Sequence, residues 1–431
     1  MRTPAPPTGP TRRSFLTWSA LGAGAALGSG TLAGCGGSSG RATKIRFLQN
    51  KPEVIPYFNT LTAKFNASQK SVRAVHDATT TPLTPQFVRG APPDLACYNY
   101  NLETSNFLDR GSLIDLSDLP EAKTIAPNVQ ALVNQFASYK GQTNVLPYSV
   151  TAAGCIYNKA IFDKYDIEIP TTWPELISVC KKLRSKGVTP LYTTFLDNWT
   201  LRQGIWDYVT GSNLDVAAFF KALKGEGGDV DASSEVSFTK NFEDACEKIV
   251  ELYSYSNKDA GSRGYNDGNA AFAAGKGAMY LQGPWAVGEV AKANPKLEMA
   301  TFALPGSDEA TKTKCRVNLD LALWIPHDSP KQDAAMQMMK YLLQPKVMNA
   351  YNAANRATSA IKDAPEVTDK RVAGLAPYVA DGKFYQGAGT YISESIPLSN
   401  YLQELLLTGN VKSFTTKLDS DWARRAARSA A

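Results

Sequence analysis

Catalytic equipment is what this chain has least of. Two histidines, His76 and His327, serve 431 residues. Neither stands near a serine or cysteine motif of nucleophilic type, and no set of His, Cys, Asp or Glu has the spacing of a zinc site. His76 sits in the strand-like run Val72-Arg73-Ala74-Val75, and His327 follows Pro326 at the end of an apolar stretch. Without companions, both read as solvated or capping side chains. Carboxylates are plentiful, as in any globular chain, so a glycosidase pair stays open on composition, but no motif nominates one. No cofactor is expected.

Charge of one sign is also scarce. The net charge of +6 falls to about +3 once Arg2, Arg12 and Arg13 are set aside with the leader. That is too little for the dense basic face that nucleic acid requires. After residue 35 no stretch is long and apolar enough to span a bilayer. None of the six cysteines forms a C-x-x-C pair. Leaving out Cys35, the remaining Cys97, Cys155, Cys180, Cys246 and Cys315 are odd in number, so at least one thiol stays free. A disulfide is permitted outside the cytoplasm, but sequence does not choose partners. Core-filling thiols are the expectation for most of them. With 43% hydrophobic and 20% charged residues, the chain reads as soluble and globular, long enough for two domains.

What is present is concentrated first at the start. Arg12-Arg13-Ser14-Phe15-Leu16 precedes a weakly apolar run of Ala, Gly and Leu, with no acidic residue before position 36. This reads as an export signal of twin-arginine type, the route for folded cargo. Leu32-Ala33-Gly34-Cys35 resembles a bacterial lipobox, where small residues admit a peptidase and the cysteine sulfur takes a diacylglyceryl group. The expectation is a signal over 1–34 and a tether over 35–43, held at the outer face of the cell membrane by acyl chains such as palmitate. A transmembrane helix is the alternative, but Phe15 to Leu32 is short and Gly-rich for a span. Gly22-Ala23-Gly24 with Gly28 imitates a nucleotide-binding glycine loop, yet its spacing is wrong and it lies inside the signal.

The body alternates. Lys44-Ile45-Arg46-Phe47-Leu48 predicts a strand, and Tyr57, Phe58, Leu61 and Phe65 a helix with one apolar face. Pro93 to Tyr98 predicts a short buried strand ending in polar Asn99 and Asn101. Such alternation implies an α/β fold with parallel sheet. Thr172-Trp173-Pro174-Glu175 is a capping box, with Leu176, Val179, Cys180 and Leu183 as the stripe behind it and Gly187 and Pro190 as stops. Ser329-Pro330-Lys331-Gln332 predicts a second box with proline at the first helical position, followed by Ala335, Met338, Met339 and Leu342 up to Pro345. Segments 211–237 and 363–381 read as surface excursions, and no internal repeat is evident.

Several segments resemble the solute-binding lipoproteins of bacterial ABC importers, in the carbohydrate-binding group that includes maltose-binding protein. They are Pro93-Asp94-Leu95 with Tyr98; Leu146-Pro147-Tyr148; and Ile156-Tyr157-Asn158-Lys159 with Ile169-Pro170-Thr171-Thr172-Trp173-Pro174-Glu175-Leu176. Phe272 to Tyr280 running into Gly283-Pro284-Trp285-Ala286 follows, then the capped segment Ser329 to Tyr351. They keep the family's order from residue 44 to about 400.

The resemblance implies a two-lobed periplasmic-binding-protein-like α/β fold, with a hinge and a ligand cleft between the lobes. One lobe would take 44–148 and 316–357, the other 149–315 and 358–431. It further implies a monomer that captures a sugar or oligosaccharide, performs no chemistry on it and delivers it to an importer permease. A secreted glycoside hydrolase, or a binding protein for a non-sugar ligand, is the alternative. Trp285, after Gly-Pro, matches the family's stacking tryptophan. Tyr98, Asn99 and Asn101, with Gln49 and Asn50, follow strand ends where open α/β sheets place ligands. Thr151 completes the matched positions, and Trp199 in Asp197-Asn198-Trp199-Thr200 is a second candidate platform. Maltose-binding members carry a tryptophan and an acid in place of Tyr98 and Asn101, and an acid in place of Thr151. The smaller platform points away from maltose itself.

Overall fold

A computed structural model describes residues 42–430 except 232; the signal, the lipobox with Cys35 and most of the tether lie outside the described residues. The strands, in chain order, are β1 (Thr43–Leu48), β2 (Val72–Asp77), β3 (Leu95–Tyr98), β4 (Leu146–Ala153), β5 (Cys155–Asn158) and β6 (Leu191–Tyr192). Then come β7 (Met279–Tyr280), β8 (Met299–Phe302), β9 (Cys315–Trp324), β10 (Thr358–Ser359) and β11 (Phe384–Gln386). Among the described residues they form two sheets. One has the order β10-β4-β9-β3-β1-β2 with β11 beside β9, and the other the order β6-β7-β5-β8.

The first sheet is mixed rather than parallel. β1 pairs in parallel with β2 and β3, but β3 and β4 both run antiparallel to β9. The strand returning late in the chain supplies the antiparallel element, which local alternation around β1 to β3 does not reveal. Along β1 the alternation works as expected: Ile45 and Phe47 are buried in a core shared with Phe58, Met338 and Tyr351, while Lys44 stays outside. The helix Ile55–Ser68 buries Phe58, Leu61 and Phe65 against this core. A separate core under the second sheet joins Ile156, Phe272, Tyr280 and Val287.

β4 and β9 pair from Leu146 opposite Leu323 to Ala153 opposite Arg316. Only Gly154 separates β4 from β5 in the other sheet, and a Cβ there would meet the Phe302 carbonyl oxygen. The architecture is α/β and two-lobed.

The capping box at Thr172 forms: its hydroxyl accepts from Glu175 N at 3.4 Å, and Thr172 N donates to Glu175 at 3.2 Å. The second box does not. The helix there begins at Gln332, because Ser329 Oγ donates to buried Asp94 at 3.0 Å and accepts only from Lys331 N. Asp94 captures the hydroxyl that would have capped the helix. At Pro345 a second helix, Pro345–Ala354, starts. Segment 211–237 is no mere excursion either. The helix Val216–Glu226 within it buries Phe219, Phe220 and Leu223, and Gly211 packs so closely on Tyr385 that a Cβ would overlap its ring. In 363–381 a short helix, Ala376–Ala380, forms near the end. All five described cysteines are buried and free. No described helix is long and apolar enough to cross a membrane.

Candidate ligand-binding cleft

β1 and β3 are parallel neighbours, so their C-terminal ends open on the same rim, and the polar residues following each strand are brought together. Gln49, Asn50, Tyr98 and Asn99 line one wall of a cleft of about 600 Å³. Trp199 and Trp285 line it as well, on elements flanking the second sheet. Six of the eight expected residues therefore share one cavity. Asn101 lines a smaller neighbouring chamber, and its side chain caps the helix Leu102–Asp109 by accepting from Thr104 N at 3.1 Å. Thr151 lies elsewhere: it is 3% exposed on β4 opposite Asn318 and lines neither cavity.

Trp285 is the second residue of the helix Pro284–Ala293. Proline at the first helical position fixes the entry of the chain, and the indole Nε1 donates to Gln282 Oε1 at 3.1 Å. The half-buried ring packs against the second-sheet core, and two cations stand near it. Lys51 Nζ and Arg316 Cζ are each 5.9 Å from its centroid, at the limit of cation–π attraction. Trp199 faces Tyr265 with centroids 5.1 Å apart, and Asp197 accepts from Tyr265 N at 2.7 Å, tying the pair together.

Lys51, Asp320, Gln203 and Tyr265 also line the cleft and were not anticipated from sequence. Lys51 directly follows Gln49 and Asn50, so the rim that named those two reaches it. Asp320 sits on β9, where Arg316, Asn318 and Asp320 alternate with apolar Val317, Leu319 and Leu321, a period-2 signal readable in the sequence. Lys51 Nζ donates to both Asp320 oxygens, at 2.8 and 2.7 Å. Burial pulls the Lys51 pKa down, but Asp320 and Glu53 outweigh it and hold the group above its ordinary value, as a firm ammonium. Asn99 Nδ2 donates to the Asp320 carbonyl at 2.6 Å. Burial raises the Tyr98 phenol pKa, so it stays a neutral donor and acceptor. Gln49 is wholly buried, and both atoms of its amide head lack a partner.

His76 supports this rim from behind, its Nε2 2.7 Å from the Gln49 carbonyl and its Nδ1 2.7 Å from Asn59 Oδ1. His327 is exposed beside Asp328. Aromatic faces, neutral amides and a fixed ion pair around one cavity suit a ligand with apolar C–H faces and many hydroxyls.

Comparisons with known proteins agree with this geometry. The sequence profile of the family described as "Bacterial extracellular solute-binding protein" matches residues 60–349. The chain is 23% identical over 409 residues to a "Multiple sugar-binding protein" of Streptococcus mutans, covering 91% of this chain and 94% of that one. Among solved structures it is similar to the solute-binding protein RafE in complex with raffinose, with TM-score 0.76 and 19% identity, covering 89% of this chain and all of the other (100%). A sugar transporter from Bacillus licheniformis in complex with stachyose matches with TM-score 0.71 and 17% identity, covering 89% and 100%.

Proposed function

Because this chain belongs to the bacterial extracellular solute-binding protein family, we propose that it is an extracytoplasmic lipoprotein that captures a sugar or oligosaccharide and passes it unaltered to an ABC importer permease. The observation that carries the reading is the cleft between Trp285, Trp199 and Tyr98, floored by the Lys51–Asp320 pair and edged by the amides of Gln49, Asn50 and Asn99. Ring faces stack on sugar C–H faces, and amide and charged groups take the hydroxyls. The saccharide ligands named for RafE and the Bacillus licheniformis protein support the same ligand class.

In this reading Trp285 is the principal platform, with Tyr98, Asn99, Gln49, Asn50 and Trp199 as its companions, while Asn101 caps a helix beside the cleft and Thr151 stands apart from it. The lobes are 44–148 with 316–357, and 149–315 with 358–431; they close on the ligand by hinge motion and so signal cargo to the permease. The protein acts as a monomer anchored by acyl chains on Cys35.

A thermal-shift screen against mono- and oligosaccharides tests this directly, since a ligand bound only by the native state raises apparent stability. The cognate saccharide should raise the melting temperature and be recovered intact after long incubation. Products that scale with protein concentration would identify a glycoside hydrolase instead. No shift with any saccharide would refute the ligand class.

A further inference from the structure

One end of β1 leads to Gln49 and Asn50 at the cleft, and the other opens on a face of different character. No aspartate or glutamate occurs between residues 54 and 76 or between residues 334 and 362. The fold lays these two acid-free stretches against each other at the start of β1. Thr43 N donates to the Ser71 carbonyl at 2.8 Å, and Ser71 Oγ donates to Gln337 Oε1 at 3.0 Å. Phe65 of the helix Ile55–Ser68 meets Tyr341 of the helix Gln332–Leu342, with ring centroids 5.4 Å apart.

Six cations gather around this junction. Lys44 and Arg73 are direct neighbours in the β1–β2 register. Lys64 stands one turn before the end of the helix Ile55–Ser68, and Lys70 two residues past it. Lys340 lies in the last turn of the helix Gln332–Leu342, and Lys346 in the first turn of the helix Pro345–Ala354. All six are exposed, and none has an ion-pair partner among the described residues. Asp333 is the one carboxylate of these three helices, about 10 Å along the axis from Lys340. Other exposed lysines sit beside acids: Lys240 by Glu235, Lys292 by Glu289 and Lys312 by Glu309.

The covalent path of the chain names what such a face meets. Seven residues, 35–41, separate the proposed acyl attachment at Cys35 from Ala42, a path of at most about 25 Å when fully extended. Ala42 leads straight into β1, beside Lys44. Resting on the lipoprotein reading above, we propose that this basic face docks on the anionic phospholipid headgroups of the membrane that holds the anchor. Each cation brought close to an anionic surface raises affinity about fivefold. The acyl chains attach the protein, and the face orients it. The six residues of β1 then hold the cleft rim roughly 20 Å above the headgroups, open to the medium that brings the ligand.

Residues 42–431 form a compact unit with its own cores and the cleft, so the chain from residue 36 onward serves as an anchor-free probe. In vesicle sedimentation at low salt it should bind mixed phosphatidylglycerol–phosphatidylcholine vesicles about tenfold or more tighter than phosphatidylcholine alone. The difference should vanish at about 1 M salt, where the screening length is about 3 Å. The combined set Lys64→Gln, Lys70→Gln, Lys340→Gln and Lys346→Gln should lose about tenfold or more in affinity for the anionic vesicles while keeping the parent melting temperature. Removing equal charge from four exposed lysines elsewhere, by Lys181→Gln, Lys186→Gln, Lys221→Gln and Lys224→Gln, should cost about threefold or less. Equal losses from the two folded sets, no preference for anionic vesicles, or binding to soluble heparin without binding to vesicles overturns the docking face. Membrane retention of the full chain unaffected by Cys35→Ala would instead overturn the lipoprotein reading, which the anchor-free probe does not test.

Discussion

Lys51 and Asp320, 269 positions apart in the chain, meet on the cleft floor with the ammonium 2.8 and 2.7 Å from the two carboxylate oxygens. The Asp320 side chain is 4% exposed and that of Lys51 17%, so neither charge can retreat to water if its partner is removed. Asp320→Ala should therefore destabilise the fold by about 3 kcal/mol, while Lys51→Met with Asp320→Leu should recover most of that loss. Urea unfolding of Asp320→Ala, of the singles Lys51→Met and Asp320→Leu, and of their double checks it; a double variant as unstable as its two summed singles would deny the coupling. The raised Lys51 pKa makes this stabilisation complete below the unfolded value of 10.5 and lost only as pH climbs through the folded one.

Trp285 should carry more ligand affinity than Tyr98 or Trp199. Removing one aromatic anchor costs on the order of 1–3 kcal/mol, so Trp285→Ala should weaken binding about tenfold or more. Trp285→Phe should keep part of the affinity, because a smaller ring still stacks. Titration of the cognate saccharide into Trp285→Ala, Tyr98→Ala and Trp199→Ala, each checked for folding, decides the order. Unchanged binding by folded Trp285→Ala would assign the ring to packing alone.

His76 should make stability fall on the acid side. Burial lowers its pKa from 6.5 despite the Gln49 carbonyl, so the unfolded chain takes up the proton more readily than the native one. Its contribution is full above pH 6.5 and is lost as pH drops through that value toward the native one. Melting curves across this window should be flatter for His76→Gln than for the parent. Equal slopes would show that the proton does not distinguish the two states.

Cys35→Ala should release the protein from membranes or leave it unprocessed, since acyl chains have no other attachment in the proposed anchor. Fractionation and mobility identical to the parent would remove the lipid from the account.

Patterns of short range were legible in the sequence. The Thr172 box, the apolar faces of β1 and of the helix Ile55–Ser68, and the strand-end residues Gln49, Asn50, Tyr98 and Asn99 all follow from local periodicity. What escaped depended on distant partners. Ser329 reads as a cap until Asp94, far earlier in the chain, takes its hydroxyl. Segment 211–237 reads as surface because Tyr385 and the late helices that cover it are invisible to a local window. Arg316 drew no reading from the sequence, and only Asp207 and Gly389, brought in by the fold, enclose it.

The five buried thiols bear on the timetable of maturation. Cys97, Cys155, Cys180, Cys246 and Cys315 fill core positions, spread over strands and helices of both sheets' surroundings, with none joined to another. None of these five described thiols therefore needs an oxidant to reach its place in the fold. If the Arg12-Arg13 leader addresses the chain to the route for folded cargo, as its sequence leads us to expect, these thiols can be packed in the reducing cytoplasm before export.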